Sequence, residues 1–164
     1  MSADLDADLG DDLGDDFAVL RQTRRSLVAV VDALTPAERV TVPGGFNNHI
    51  LWNAGHLAVT EQLLVYGLSG LPVGVPDEMV ADFRKGTSPR DWERAWAWDE
   101  IRQALLARPD QTEADWHAGR FTSFREYRTT PGVVLRSVED ALRFNLYHEG
   151  IHLGSILALR RLVS

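Results

Sequence analysis

The sequence predicts an all-α fold, a bundle of four helices. Three observations carry this. Four segments repeat apolar residues at the three-and-four spacing of an α-helix, clusters of proline and glycine separate them, and no segment alternates convincingly between apolar and polar residues as a half-buried strand would. A chain of 164 residues fits a single domain and is long enough to bury most of its apolar surface in one core.

The first helix is expected from Phe17 to Leu34, where Phe17, Leu20, Leu27, Val31 and Leu34 share one face. Thr35-Pro36-Ala37-Glu38 reads as a cap followed by a proline at the first helical position, and predicts one short turn. Val42-Pro43-Gly44-Gly45 breaks the chain. Asn47 or Asn48 then caps a second helix that runs to about Leu68 and stops near Gly70-Leu71-Pro72. Residues 71–87 read as a long connection. Ser88-Pro89-Arg90-Asp91 is a start signal for the third helix, which is expected to end at Arg108-Pro109 because a proline interrupts helical hydrogen bonding. Residues 110–129 read as irregular, and Thr130-Pro131 as the start of a fourth helix reaching almost to the C-terminus. Two connections are short and two long, which leaves room for a topology other than simple up-and-down.

Charge is distributed unevenly. Residues 1–16 carry Asp4, Asp6, Asp8, Asp11, Asp12, Asp15 and Asp16 and no Lys or Arg, leaving 17 acids against 17 Lys and Arg in the rest. The expected division is an acidic, disordered tail over 1–14 and one bundle domain over 15–164. The neutral body offers no net basic face for nucleic acid. There is no apolar run of about 18 residues to span a membrane and no signal-peptide pattern, so a cytoplasmic location is expected. Without cysteine, disulfides, thiolate metal sites and a cysteine nucleophile are excluded.

The chemistry lies on two helix seams. In the last helix the inward positions are Val134, Val138, Ala141, Asn145, His148, His152, Ser155 and Leu159. In the second they are His49, Trp52, His56, Val59, Leu63 and Tyr66. Three histidines, His56, His148 and His152, thus face the core, where an unpaired polar group costs roughly 1–3 kcal/mol. A shared divalent cation answers that cost, because neutral imidazole nitrogens coordinate it directly. His148 and His152 are four apart and stack on adjacent turns, about 5–6 Å apart at Cβ. A third ligand from a facing helix completes a three-histidine face with open positions, as catalytic zinc sites have. His49 lies about 10 Å along the axis from His56 and reads as a helix-start residue. His117 reads as surface or pocket wall.

The run His148-Glu149-Gly150-Ile151-His152 is H-E-x-x-H, the zinc-peptidase pattern. Twelve residues follow His152, none of them His, Asp or Glu, so a downstream third ligand is missing and the peptidase reading is set aside. Glu149 is the candidate catalytic residue, a general base for a bound water. It can equally bond a ring N–H of a ligand or pair with an arginine at the surface. Asn145 and Trp52, one turn before His148 and His56, are the candidate substrate-binding residues; a buried asparagine that fixes helix register is the competing reading of Asn145. Gly150 leaves space for close packing or for room beside the metal. The segment 110–130, with Trp116, His117, Arg120, Phe121, Phe124, Arg125 and Tyr127, reads either as a lid over the pocket or as a packed surface loop.

Two stretches carry a family resemblance. Asn48 to Glu61, with Trp52, Gly55-His56-Leu57 and Glu61, resembles the second helix of the DinB-like superfamily. Ser137 to Asn145 together with His148-Glu149-Gly150-Ile151-His152-Leu153-Gly154 resembles its last helix. The resemblance covers about residues 15–163. It implies a four-helix bundle of crossed, non-sequential topology (up-down-down-up type), a zinc or nickel ion on His56, His148 and His152, and frequent homodimers. It also implies small-molecule chemistry: transferases that use a low-molecular-weight thiol such as bacillithiol or mycothiol, a thiol-dependent isomerase, and metal-dependent hydrolases. In the transferase reading the ion lowers the pKa of an external thiol, which attacks an electrophile. In the hydrolase reading it lowers the pKa of water with help from Glu149. A non-catalytic metal-binding or sensor bundle is the third reading.

Overall fold

The computed structural model describes residues 13–163, so the expectation of a disordered acidic tail falls largely outside the described residues. Four long helices form the bundle: α1 (Gly14–Asp32), α3 (Ile50–Gln62), α5 (Trp98–His117) and α6 (Val138–Val163). Two short helices lie between them in the chain, α2 (Pro36–Val40) and α4 (Asp77–Phe83), and a two-stranded hairpin of β1 (Tyr127–Arg128) and β2 (Val134–Leu135) precedes α6. Both α1 and α3 pack along α5 and α6. The first two long helices, α1 and α3, therefore sit at opposite corners, the non-sequential bundle that the resemblance implied. Among the described residues no helix is long and apolar enough to cross a membrane.

Local signals account for several boundaries. α2 has the expected capping box: Glu38 N–H donates to Thr35 Oγ1 at 3.3 Å, and Thr35 N–H to Glu38 Oε2 at 2.7 Å. Asp15 and Asp16 sit in the first turn of α1, where negative charge is favourable. α3 starts later than expected and is capped by His49 rather than by Asn47 or Asn48, because the His49 Nδ1 accepts the Trp52 N–H at 2.9 Å.

Other boundaries differ from the expectations, each for a tertiary reason. Residues 71–87 contain α4, whose Met79 and Phe83, four apart, are buried. Ser88-Pro89 starts only a single 3₁₀ turn, Pro89–Asp91. The chain then bends at Glu93-Arg94 so that Trp92 and Trp96 close under α4; their Nε1 groups donate to the Asp82 carbonyl at 3.1 Å and to Asp82 Oδ2 at 2.7 Å. α5 begins at Trp98, with Glu100 Oε2 accepting the Ala97 N–H at 2.9 Å. It passes through Pro109 to His117. A proline at 109 has no N–H for the carbonyl of Leu105 four residues back. The buried guanidinium of Arg24 donates to that carbonyl at 3.2 Å, so the orphaned acceptor is satisfied and the helix continues. Thr130-Pro131-Gly132 is a hairpin turn with Gly132 at φ +93°, not a helix start; α6 begins eight residues beyond Thr130, where Ser137 Oγ accepts the Asp140 N–H at 3.2 Å.

The core has two apolar halves. One centres on Leu27, Ile50, Leu57, Phe83, Ile101 and Ile156. The other holds Leu13, Phe17, Val65, Leu135, Val138 and Leu142. Between them each long helix contributes buried polar side chains: Arg24 from α1, Glu61 from α3, Thr112 from α5, and Asn145 and Glu149 from α6. The histidines stand at the edge of this polar layer.

Candidate metal centre

His56, His148 and His152 converge from α3 and α6, each offering one ring nitrogen within 4.8 Å of the others. The buried face of α6 is Val138, Ala141, Leu142, Asn145, Glu149, Ile156 and Leu159, which puts His148 and His152 half-buried on its flank rather than mid-core. They look into a pocket between helices, not into a sealed interior.

Hydrogen bonds orient two of the rings. His56 Nδ1 lies 2.7 Å from the Phe83 carbonyl, which can only accept, so that nitrogen carries the proton and Nε2 keeps its lone pair. Gly55 makes this possible: a Cβ there would stand 2.4 Å from ring carbons of Phe83, so only glycine lets α4 approach closely enough. His152 Nδ1 lies 2.8 Å from Asn53 Oδ1. Asn53 Nδ2 donates to the His49 carbonyl at 2.9 Å, which assigns the amide orientation and leaves Oδ1 as acceptor, so His152 Nε2 also keeps its lone pair. Trp52 stacks on His56, rings 4.7 Å apart and 10° from parallel, and its Nε1 donates to Thr87 Oγ1 at 3.1 Å.

The site fits a metal ion. His56 Nε2 and His148 Nε2 are 3.2 Å apart. Two nitrogens at zinc-ligand distances of about 2.0–2.1 Å in tetrahedral geometry would be about 3.3 Å from each other. All three imidazoles are held neutral, the form that ligates. Burial, then the neighbouring rings, pushes His148 down to about 3; burial and His56 push His152 down to about 4. Burial also lowers His56, against the opposing bond to Phe83. These three are the one such ligand group among the described residues.

The rings open into a cavity of about 850 Å³. Leu63, Leu64, Phe144, Tyr147 and Ile151 form apolar walls, and Trp52, Asn53 and Thr60 surround His56. One wall follows Leu63–Gly67, where α3 ends in a π turn, with the Leu68 N–H donating to the Leu63 carbonyl five residues back at 3.2 Å. Of the segment expected as lid or packed loop, Arg125 and Tyr127 line the cavity, while Trp116, Phe121 and Phe124 pack on the second core half. His117 is in the exposed last turn of α5 and not on the cavity wall.

Trp52 lines the cavity; Glu149 and Asn145 do not. Both are fully buried on the core face. Glu149 Oε1 accepts from Arg24 Nη2 at 2.7 Å, Arg24 Nε at 3.0 Å and Asn145 Nδ2 at 3.3 Å. Of the roles open to Glu149, a pair with an arginine is the one present, and that arginine is buried rather than at the surface. Asn145 takes its buried, helix-positioning reading. Gly150 is exposed with nothing near its Cα side, so it provides neither close packing nor room beside the ion.

Three contributors escaped the sequence reading. Arg24 occupies the core stripe of α1 between Leu20 and Leu27; an arginine filling a gap in an apolar heptad pattern was the available signal. Asn53 was signalled only by its place one turn before His56. The Phe83 carbonyl has no sequence signal at all.

No curated protein matches the chain. A family model described as the DinB superfamily matches residues 19–156, a span that contains all three histidines and most of the bundle. The chain belongs to the DinB superfamily.

Proposed function

We propose that the protein is a metal-dependent transferase that joins a low-molecular-weight thiol to a small electrophile. The observation that carries this is a roomy amphipathic cavity bounded by three neutral imidazoles and, among the described residues, lined by no carboxylate. A divalent zinc or nickel ion on His56, His148 and His152 would supply a Lewis acid that lowers the pKa of a thiol. The chain has no cysteine, so the thiol comes from outside, bacillithiol being one candidate. The Phe83 carbonyl and Asn53 hold two of the rings in the ligating tautomer. Trp52 and the leucines of the π turn exclude water from the reacting groups. The hydrolase alternative needs a base near a water, and the carboxylate expected to serve is engaged by Arg24 behind the site.

The test combines metal and turnover. Elemental analysis of tag-free protein is expected to give about one equivalent of zinc or nickel, lost in His56→Ala and His152→Ala. The loaded protein is then offered monochlorobimane with bacillithiol, mycothiol, glutathione or cysteine. Thiol-dependent conjugation that disappears in the histidine variants supports the proposal. Ester or amide hydrolysis without thiol would replace it with the hydrolase reading, and bound metal without any turnover would leave a binding or sensor bundle.

A further inference from the structure

The cavity walls are unequal in charge as well as in polarity. Two cationic side chains, Lys85 and Arg125, line it, and among the described residues no Asp or Glu does. The nearest acids in the chain are engaged elsewhere. Glu126, beside Arg125, pairs with Arg136 at 3.5 Å, Asp82 accepts from Trp96, and Glu149 is held by Arg24. Among the described residues the Arg125 guanidinium has no hydrogen-bond or ion-pair partner. Lys85 Nζ donates to Thr130 Oγ1, another lining residue, which leaves two of its three N–H donors free.

These cations are placed by the backbone. The Arg125 N–H donates to the Leu68 carbonyl at 2.7 Å, and Ser123 Oγ to the Ser69 carbonyl at 3.0 Å, so the irregular segment is stapled to the end of the π turn. Lys85 stands two residues beyond the end of α4, and its bond to Thr130 ties that wall to the hairpin turn. A pocket with apolar walls and two cationic side chains, and with no compensating anion among the described residues, selects ligands of the opposite sign. A guanidinium presents its N–H groups as a fork that matches a carboxylate.

We propose that the cavity selects organic carboxylates, with an apolar body against Leu63, Phe144 and Tyr147 and a carboxylate recognised by Lys85 and Arg125. This rests on the reading of the cavity as the substrate site and narrows its substrate class. A thiol or electrophile that carries a carboxylate is preferred over a neutral or cationic one of the same shape.

The test uses two probes of one shape, 4-phenylbutyrate and the neutral 4-phenylbutanamide, titrated by ¹H–¹⁵N NMR into the full-length protein. Metal-free and zinc-loaded samples are run together, since a carboxylate can also ligate zinc. Wild type is expected to bind the carboxylate about fivefold or more tightly than the amide in both states, the size that two partly exposed ion pairs allow. Lys85→Met/Arg125→Met is expected to bring the ratio within twofold with the amide unaffected, and circular dichroism checks its fold. Because both side chains are exposed, the single Arg125→Gln change serves as a milder second variant. Equal affinity in wild type, a preference that survives in the double variant, or no binding of either probe overturns the proposal. Carboxylate preference in a protein that takes up neither zinc nor nickel would sustain it while sinking the transferase reading. Metal-dependent conjugation of a thiol without that preference would do the reverse.

Discussion

At the scale of single residues, the site depends on atoms that never touch a ligand. Asn53 fixes the proton of His152, and partners of this kind typically contribute 10–100-fold to metal affinity. Asn53→Ala is therefore expected to weaken zinc binding by about that range, measured by competition with a chromophoric chelator, with the fold intact by circular dichroism. Gly55 works through sterics. In an ordinary helix interior alanine would gain about 1 kcal/mol over glycine. Here the new Cβ meets the fully buried Phe83 ring at 2.4 Å, and overpacking of this kind costs about 1–3 kcal/mol. Gly55→Ala is thus expected to lower the urea midpoint and also to weaken metal binding, because the Phe83 carbonyl moves away from His56. Unchanged metal affinity would show that this carbonyl does not orient the ring.

At the scale of elements, the four long helices are registered by the polar layer that divides the core. Burial opposes the charge on Arg24, but Glu149 and Glu61 outweigh it and its pKa is raised, so it remains a cation inside the bundle. It bonds the Glu149 carboxylate on α6, the Leu105 carbonyl on α5 and the Leu57 carbonyl on α3, the last at 3.4 Å. Thr112, also on α5, donates to Glu61 on α3 at 2.7 Å. Removing one partner of a buried ion pair costs about 3–5 kcal/mol, whereas replacing the whole pair with apolar side chains is often neutral. Arg24→Met is expected to lose about that much stability in chemical denaturation. Arg24→Met/Glu149→Leu is expected to recover part of it. A double variant worse than the sum of its single changes would mean that the layer acts as more than a charge pair. The same network explains why α5 tolerates Pro109, a feature that local rules read as a helix end.

At the scale of the whole molecule, the buried histidines make stability depend on pH. His49, 4 % exposed and with its Nδ1 committed to the Trp52 N–H, is pushed down to about 4 by burial. His148 and His152 are lowered to about 3 and about 4. Free histidine titrates near 6.5, so between pH 6.5 and 4 the unfolded chain binds protons that the folded one does not. Stability of the metal-free protein is expected to be flat above about pH 7 and to fall as pH drops through that window. Bound metal adds stability by mass action, because it binds the folded site and competes with protons for the same nitrogens. Thermal unfolding followed from pH 8 to 4, with and without zinc, checks both. The zinc-dependent increment is expected to vanish toward the acid end, and a profile that rises on acidification would refute the neutral-histidine assignment.

Helical periodicity was enough to find the bundle and to bring His56 together with the pair His148 and His152, and residue types were enough to find the cap at Thr35, because a 3.6-residue repeat, an i, i+4 pair and a cap are local facts of the chain. The same reading could not find α4 or the hairpin, ended α5 too soon at Pro109, and aimed Glu149 at the metal. Apart from the hairpin, whose strands pair within nine residues, each of these outcomes turns on a partner distant in sequence. Arg24 donates to the carbonyl that Pro109 leaves free and draws Glu149 into the core, Asp82 gathers the tryptophans of the segment before α5, and Phe83 meets Gly55 across a gap that no local pattern encodes. A helix face follows from spacing along one chain segment, whereas the rotation of that helix, and so which of two neighbouring residues meets the ligand, follows from the packing and charge pairing of all four.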